Sequence, residues 1–202
     1  MNFDKTAIIL VGYQNDYFSK NGALHAVVEE SLDREHLLAN TVQLLESVRD
    51  TNTLLISTPI LFTPNYSELI DPIGILKTIR DAGAFRNDTV GGQTISELSN
   101  FGDRIDEIPG KRGLNAFSNT DLEEQLRGRA IENVLIAGVV TSLCIDSTAR
   151  HAFELGFRVS ILEDCIGGRS EVEQDFYCQQ VFPLYSKLVR SKDVIASVSQ
   201  LA

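Results

Sequence analysis

The sequence predicts an α/β protein in which a mostly parallel, six-stranded sheet is covered by helices on both faces, a three-layer α/β/α arrangement. Short apolar runs alternate with helical patterns along the whole chain, which is typical of βαβ units. Most of these runs are apolar throughout, as expected for strands buried on both faces of a parallel sheet. The 202 residues contain no linker, repeat or low-complexity segment, so we expect one domain over residues 1–202.

The first half of the chain supplies two predicted strands, at residues 6–11 and 53–57. Between them, residues 32–49 form a helical pattern that Ser31 would cap. The apolar face of this helix consists of Leu37, Leu38, Val42, Leu45 and Val48. Residues 59–103 are irregular and rich in Gly, Pro and Asn, with a helix expected at 73–81. We interpret this long segment as a lid or a subunit contact.

The second half continues the alternation, with strands expected at 105–108, 133–138, 157–162 and 188–190. A capping-box pattern at Thr120 and Glu123 opens a helix that ends near residue 128. Further helices are expected after Cys144, over 171–185 with a break near Pro183, and over 193–200.

Charge and composition exclude several classes of partner. A formal net charge of −10 without a Lys/Arg cluster argues against nucleic acid and against an anionic membrane surface. Membrane spans need about 18 consecutive apolar residues, and no such run occurs. The N-terminus has no signal-peptide cleavage pattern, and the three cysteines stand far apart, so we expect a reducing, cytoplasmic location. The chain has no CxxC or CxxH pattern, which argues against cysteine-bound zinc.

Cys144 is the candidate nucleophile. It follows the strand at 133–138 and precedes a helical pattern, so it is placed at a strand-to-helix turn. Helix N-termini favour the thiolate form of a cysteine, and open α/β sheets bind ligands at the carboxyl ends of their strands. The alternative is a buried cysteine that only packs, which is common for this residue type.

Lys111 is the candidate cationic partner of Cys144. It follows the strand at 105–108 and therefore lies at the same edge of the predicted sheet. The alternative is an ordinary solvated lysine. A P-loop is excluded, because Arg112 follows the lysine where Ser or Thr would be needed, and Ile105 stands where the loop needs glycine.

Several other side chains are candidates for the walls of a small substrate pocket. Asn115 is placed to donate a hydrogen bond to the substrate, and each aromatic residue has core packing as its alternative role. His151 lies seven residues after Cys144, about 10 Å along a helix axis, and is interpreted as packing or surface. The candidate pocket residues are Tyr13, Phe18, Phe62, Asn115, Phe117 and Phe182.

Three segments resemble the isochorismatase-like hydrolase superfamily, the cysteine hydrolases that include nicotinamidases and N-carbamoylsarcosine amidohydrolases. Residues 9–18 (ILVGYQNDYF) resemble its strand-one motif, residues 110–126 (GKRGLNAFSNTDLEEQL) its lysine segment, and residues 136–165 (IAGVVTSLCIDSTARHAFELGFRVSILEDC) its nucleophile segment. The resemblance implies a Rossmann-like single domain that hydrolyses small amide, ureido or carbamoyl compounds, without a cofactor and as a homo-oligomer.

The resemblance also implies roles for individual residues. Cys144 matches the family nucleophile and Lys111 the family lysine. Val139–Val140 matches the position of a cis peptide, which would aim the N–H groups of Val140 and Cys144 at a developing oxyanion. The segment 57–69 lacks the histidines of a nicotinamidase metal site, so we expect no metal and no nicotinamidase activity. Siderophore-type isochorismatases work without a cysteine nucleophile, so Cys144 argues against that reaction.

Gly12 departs from the family pattern, because it stands where the strand-one motif has an aspartate that serves as general base. Asp16 resembles a structural aspartate of the same motif, with replacement of the base as its alternative role. Tyr13 is a poor base because the ordinary pKa of a phenol is about 10.

The departure leaves several explanations of Gly12 open. In the first explanation, the glycine is an engineered or sporadic change in a working hydrolase. In the second, a water takes the place of the base. Otherwise the chain is a catalytically silent binding or assembly protein on the same scaffold. A redox-responsive thiol protein is a further alternative.

Overall fold

The computed structural model describes residues 2–200 and confirms the predicted fold class. Six parallel strands form one sheet in the order β3-β2-β1-β4-β5-β6. The predicted domain limits of 1 and 202 lie outside the described residues. The strands are β1 (Thr6–Val11), β2 (Leu54–Thr58), β3 (Asp106–Glu107), β4 (Asn133–Val139), β5 (Arg158–Gly167) and β6 (Lys187–Val189).

The helices cover the sheet and connect its strands. The helix predicted at 73–81 is present as α4, one residue further along the chain. The helices are α1 (Asn15–Phe18), α2 (Glu29–Glu35), α3 (Leu37–Ser47), α4 (Gly74–Ala82), α5 (Ser96–Ser99), α6 (Leu122–Gly128), α7 (Asp146–Glu154), α8 (Glu171–Phe176) and α9 (Ser191–Ser199). Among residues 2–200, none of the helices is long and apolar enough to cross a membrane.

The two central strands bring the site-bearing segments together. Every residue of β1 is buried, and Val11 at its end pairs with Thr58 of β2 and Gly138 of β4. The segments that follow β1 and β4 therefore leave the sheet side by side. These segments contain Gly12 on one side and the turn leading to Cys144 on the other, so the topology juxtaposes them.

The predicted helix 32–49 is wrong as a single element. It is two helices, α2 and α3, separated by His36 in a left-handed conformation (φ 49°). Ser31 lies inside α2 and is not a cap, because its hydroxyl donates a hydrogen bond to the Gly168 carbonyl oxygen at 2.7 Å. The first helix begins three residues earlier than predicted, at Glu29, and this contact ties it to the residue after β5.

Three predictions in the second half also need correction. The N-cap of α6 is Asp121, and the Thr120 hydroxyl before it donates to the Ala116 carbonyl oxygen and accepts from the Leu122 N–H at 3.4 Å. The predicted strand 157–162 extends to Gly167, which carries β5 alongside the full length of β4. The predicted helix 171–185 divides into α8, a π-helical turn at Tyr177–Val181 and a 3-10 turn at Phe182–Leu184. Proline at the second position of that last turn is compatible only with a helix start, so the break precedes Pro183.

Gln14 fixes the long segment after β2 to the end of β1. Its side-chain nitrogen donates to the carbonyl oxygens of Ile60 and Gly92, at 2.8 and 2.7 Å, and its oxygen accepts from the Ile60 N–H. Gln14 is almost fully buried, so these bonds are shielded from water and hold the segment at Ile60 and Gly92.

Candidate active site

The structure brings Lys111 and Cys144 into contact. Cys144 lies in a π-helical turn, Thr141–Ile145, between β4 and α7, and its side chain is 3% exposed. Lys111 follows β3 and is fully buried. Its Nζ atom lies 3.5 Å from the Cys144 Sγ atom. The parallel topology therefore places both side chains at one edge of the sheet, as predicted.

The surroundings of Lys111 are those of a buried amine. Nζ donates to the Gly113 carbonyl oxygen at 2.6 Å as well as to Sγ. Burial lowers the pKa of the Lys111 amine, and the negative charge and hydrogen bond of Cys144 oppose that change in part. The alternative interpretation of Lys111 as a solvated lysine is therefore wrong.

The peptide between Val139 and Val140 is cis, as the resemblance implies. Val140 is fully buried, and its carbonyl oxygen accepts hydrogen bonds from the N–H groups of Leu143 and Ile145. These bonds close the turn that carries Cys144 directly onto the end of β4.

Gly12 has a backbone conformation and surroundings that leave little room for a side chain. Its φ angle is +74°, in the left-handed region that favours glycine. A Cβ atom at this position would lie 2.8 Å from the Val139 carbonyl oxygen and 3.1 Å from the Val139 side chain. The Tyr17 ring would lie 3.5 Å away. The space next to Gly12 is thus bounded by Val139 and Tyr17.

Asp16 is tied to backbone groups of neighbouring loops. Its carboxylate accepts hydrogen bonds from the Phe85 N–H at 2.6 Å and from the Ala23 N–H at 3.2 Å. A Cβ atom on Gly91 would lie 2.2 Å from the Asp16 Oδ1 atom, so the loop passes directly over the carboxylate. These contacts favour the structural role of Asp16 over that of a replacement base.

Tyr13 and Phe18, two of the predicted pocket residues, contact each other, and Tyr13 also contacts α3 and β5. The Tyr13 hydroxyl shares a 2.7 Å hydrogen bond with the Thr41 hydroxyl and donates to the Cys165 carbonyl oxygen at 3.2 Å. The Phe18 ring stacks on the Tyr13 ring with centroids 5.1 Å apart. Burial raises the pKa of Tyr13 well above its ordinary value. The contacts of Tyr13 favour its alternative role in core packing.

Of the two pocket residues predicted in the lysine segment, Phe117 packs against other rings and Asn115 lines a cavity. The Phe117 ring packs 5.1 Å from the His151 ring and 6.4 Å from the Phe157 ring, which favours core packing. The Asn115 Oδ1 atom accepts from the Phe117 N–H at 2.9 Å, and Asn115 also lines a cavity of about 460 Å³. Of the other aromatic candidates, Phe62 and Phe182 are fully buried.

The cavity beside Asn115 is lined by residues that neighbour Lys111 and Cys144 in the chain. It is lined by Gly113, whose carbonyl oxygen accepts from Lys111, and by Ser147, three residues after Cys144. Its outer wall comes from the segment after β2, through Leu69 and Leu76. A separate groove of about 800 Å³ is lined by Asn133, Arg158 and Lys187, at the opposite ends of their strands from Cys144.

Tyr17 and Ser142 are site neighbours that the sequence reasoning missed. Burial raises the pKa of the Tyr17 phenol, with Cys144 and then Asp16 as further causes. The Ser142 hydroxyl is buried and has no hydrogen-bond partner among the described residues. Tyr17 follows Asp16 directly in the first motif, which was the available signal, whereas a serine two residues before a cysteine carries none.

The described part of the chain contains no group of three or more His, Cys, Asp or Glu side chains arranged to hold a metal ion. The three cysteines form no disulfide, and Cys144 and Cys165 are buried. Burial raises the pKa of the Cys165 thiol to about 12.

Known proteins resemble this chain in sequence. The isochorismatase domain matches residues 6–193. The uncharacterized isochorismatase family protein YecD of Escherichia coli O157:H7 is 39% identical over 85 residues, which are 42% of this chain and 45% of that protein. The ureidoacrylate amidohydrolase RutB of Rhizobium rhizogenes strain K84 is 25% identical over 214 positions, covering 98% of this chain and 85% of that protein. The alignments span about half the length of the first relatives matched.

Solved structures resemble the fold over nearly its whole length. A cysteine hydrolase from Pseudomonas syringae pv. phaseolicola 1448A superposes with a TM-score of 0.87 at 19% identity, covering 100% of this chain and 96% of that one. The N-carbamoylsarcosine amidase from Thermoplasma acidophilum superposes with a TM-score of 0.72 at 19% identity, covering 93% and 96%. At these identities the likeness concerns the fold alone. Because the domain match extends from the first strand to the last helix, the chain belongs to the isochorismatase family.

Proposed function

We propose that this protein is a cysteine-dependent hydrolase of C–N bonds in a small amide, ureido or carbamoyl compound. The observation that carries the proposal is the buried Lys111 amine 3.5 Å from the Cys144 thiol at the carboxyl edge of the sheet. A thiol held beside an amine at the start of a helix is the arrangement in which cysteine nucleophiles are activated. The name of the ureidoacrylate amidohydrolase relative supports the substrate class.

The proposed reaction forms and then hydrolyses a thioester. The Cys144 thiolate attacks the substrate carbonyl carbon, and the N–H groups of Val140 and Cys144 stabilise the oxyanion. Breakdown of the tetrahedral intermediate cleaves the C–N bond and releases ammonia or an amine. Water then attacks the thioester carbonyl and releases the acid and the thiol. Lys111 stabilises the thiolate before the attack, because an adjacent cation favours the charged form of the thiol.

We place the substrate in the cavity of about 460 Å³ beside Asn115. Its volume lies within the range of small-molecule sites, which is about 300–1,000 Å³. The cavity adjoins Gly113 and Ser147, each close in the chain to a member of the pair. Asn115 would donate its amide hydrogen to a polar group of the substrate, and the segment after β2 would cover the bound molecule.

The proposal is tested by ammonia release from a panel of small amides, ureido acids and carbamoyl compounds. We expect Cys144→Ser to lose turnover by at least about 100-fold, as removal of a covalent nucleophile does. Cys178→Ser is the matched control, because it changes a partly exposed cysteine that lies outside the proposed site. Hydrolysis by Cys144→Ser at the rate of the unchanged protein would show that Cys144 is not the nucleophile.

A second candidate function, binding without turnover, is favoured by Gly12. Gly12 supplies no carboxylate beside the pair, and a Cβ atom there would lie 2.8 Å from the Val139 carbonyl oxygen. A silent protein would keep the cavity and show a raised melting temperature with ligand, because ligands that bind only the folded state stabilise it. Melting temperatures measured over the same panel, beside ammonia release, separate the two functions. Turnover that depends on Cys144 excludes the silent protein.

We also propose a homo-oligomer in a reducing, cytoplasmic environment. Exposed apolar side chains support the first part: Ile70 and Ile73, in the segment after β2, are 90% and 84% exposed. Exposed apolar residues that cluster on a surface mark protein contacts. Light scattering should give a mass of at least two chains, and Ile73→Lys should lower it. A single-chain mass for the unchanged protein at micromolar concentration would exclude this part.

A further inference from the structure

We propose that Lys111 is the proton-transfer group of Cys144, taking the thiol proton and returning it to the leaving nitrogen. This inference rests on the proposed function and adds the base that Gly12 does not supply. It assigns the amine a catalytic role beyond stabilising a thiolate.

The first argument is geometric. The hydrogen-bond partners of the Lys111 Nζ atom among residues 2–200 are the Gly113 carbonyl oxygen and the Cys144 Sγ atom. The carbonyl oxygen can only accept, so it orients the amine without exchanging a proton with it. Sγ is the partner that carries a transferable proton. The full burial of Lys111 keeps bulk water from supplying an alternative acceptor at the amine.

The second argument is that the neighbouring groups are poorer proton acceptors. The two carboxylate oxygens of Asp16 accept backbone N–H groups of Phe85 and Ala23. Burial raises the pKa of the Tyr17 phenol, and the charges of Cys144 and Asp16 add to the rise. The phenol therefore stays neutral and protonated. Burial has the opposite consequence for an amine, because the neutral form of lysine is the form that can accept a proton. The same desolvation that disables Tyr17 as a base therefore favours Lys111.

The proton balance closes over one turnover. Lys111 takes the Cys144 proton and becomes an ammonium as the thiolate attacks the carbonyl carbon. When the C–N bond breaks, the ammonium gives that proton to the departing nitrogen and becomes neutral. It then takes a proton from the water that attacks the thioester, and the C–S bond breaks to give the acid and the thiolate. The ammonium returns that proton to the thiolate, which restores the neutral amine and the thiol. The sum is one substrate and one water converted to one acid and one amine, with no other reactant.

The first test reads the amine without any substrate. In Cys144→Ser, where no thiolate stabilises the ammonium, the ¹⁵N and ¹H NMR signals of the Lys111 side chain are followed against pH. We expect Lys111 to lose its proton at a lower pH in the folded protein than in the same protein unfolded in urea, because burial lowers the pKa of its amine. If the two pH values agree, burial does not favour the neutral amine and the inference is overturned.

The second test separates a proton acceptor from a mere cation. Lys111→Arg keeps the positive charge but cannot give up a proton. We expect it to lose turnover by at least about 100-fold, as the loss of a general base does, and near-normal turnover would overturn the inference. Because arginine is larger than lysine and the site is fully buried, Lys111→Ala is assayed in parallel with added methylamine or guanidinium. Rescue should follow the neutral amine concentration, and equal rescue by guanidinium would overturn the inference.

Failure of the proposed function can be distinguished from failure of the inference about Lys111. If Cys144→Ser hydrolyses substrate at the unchanged rate, the proposed function fails, whatever the titration of Lys111 shows. If hydrolysis depends on Cys144 but Lys111 loses its proton at the same pH in the folded and the unfolded protein, or if Lys111→Arg is active, only the inference fails. Lys192→Met serves as the control for loss of a lysine far from the pair and should leave turnover unchanged.

Discussion

The carbonyl oxygen of Val139 lies where it would contact any side chain on Gly12, 2.8 Å from an ideal Cβ position. Val139 ends β4, and Gly12 follows the neighbouring strand β1. Gly12 therefore packs against the end of β4 where β1 and β4 both end. Its replacement would disturb the ends of both strands. A carboxylate introduced at this position would strain the backbone and displace the Val139 carbonyl oxygen.

The first prediction concerns stability on substitution of Gly12. Gly12→Ala should lower the free energy of unfolding by about 2–3 kcal/mol, because the left-handed backbone is strained and the Val139 oxygen must move. Gly12→Asp should be destabilised at least as much and should not exceed the unchanged protein in ammonia release. Urea denaturation curves give the free energies, and the ammonia assay gives turnover.

Gly83 provides a matched control for the Gly12 variants. Its φ angle is +70°, close to that of Gly12, but a Cβ atom there has nothing within 4 Å. Gly83→Ala should therefore cost only the backbone strain, about 1 kcal/mol. Equal losses for Gly12→Ala and Gly83→Ala would show that the contact with Val139 relaxes freely. A Gly12→Asp variant with raised turnover would show that the site can accept the carboxylate.

The second prediction concerns Asp16. Asp16→Asn should lower the free energy of unfolding by about 2 kcal/mol. The neutral amide has one acceptor oxygen in place of two, so at least one of the two backbone N–H groups loses its charged acceptor. Thermal or urea unfolding measures the loss. Asp103→Asn, at an exposed carboxylate, is the control and should change stability by less than about 0.5 kcal/mol. A neutral Asp16→Asn would contradict the structural role.

The sheet could be predicted because its strands are apolar on both faces. The limits 133–138 miss β4 by one residue, and the placement of Cys144 and Lys111 at one edge follows from parallel topology. The break at His36 could not be predicted, because no Gly or Pro marks it. It depends on contacts distant in sequence, such as the Ser31 bond to Gly168 and the Asn40 bond to the Asp164 carbonyl oxygen. These hydrogen bonds fix α2 to the end of β5 and α3 to β5 at separate points.

The composition of the candidate site was only partly predictable. The pairing of Lys111 with Cys144 follows from the order of strands, but the burial of Lys111 depends on how its loop packs under neighbouring segments. Aromatic residues carry no sequence signal that separates pocket from core. Phe117 accordingly packs on His151, whereas Tyr17, which borders Gly12, was not singled out.

The third prediction separates substrate contact from packing within the lysine segment. Asn115→Asp keeps the oxygen that accepts the Phe117 N–H but loses the amide donor. It should raise KM about 10-fold or more while stability stays within about 1 kcal/mol, because about 1.4 kcal/mol of lost binding is tenfold in affinity. Phe117→Leu should do the reverse, lowering stability by about 1–2 kcal/mol with an unchanged KM. Substrate-dependence of ammonia release and urea unfolding measure the two effects.

Two results would contradict this division of the segment. An unchanged KM in Asn115→Asp would show that the Asn115 amide does not contact the substrate. A raised KM in Phe117→Leu would show that the ring reaches the substrate despite its contacts with His151 and Phe157.

The last prediction is the pH dependence of stability that the burial of Lys111 produces. Burial lowers the pKa of its amine in the folded protein below the unfolded value. The folded state then binds fewer protons than the unfolded state between those two values, so the free energy of unfolding rises with pH across that interval. Its upper limit is the ordinary lysine value of about 10.4, and below the folded-state pKa the cost of charging the buried amine is fully present.

This dependence is measured in the Cys144→Ser background, where no thiolate titrates beside the amine. The protein with Lys111 should gain stability relative to Cys144→Ser/Lys111→Met as pH rises from neutral toward about 10. Urea unfolding of both proteins at several pH values gives the difference, in which the titrations of all other groups cancel. If the difference between the two proteins stays constant with pH, the amine stays charged in the folded protein and burial does not lower its pKa.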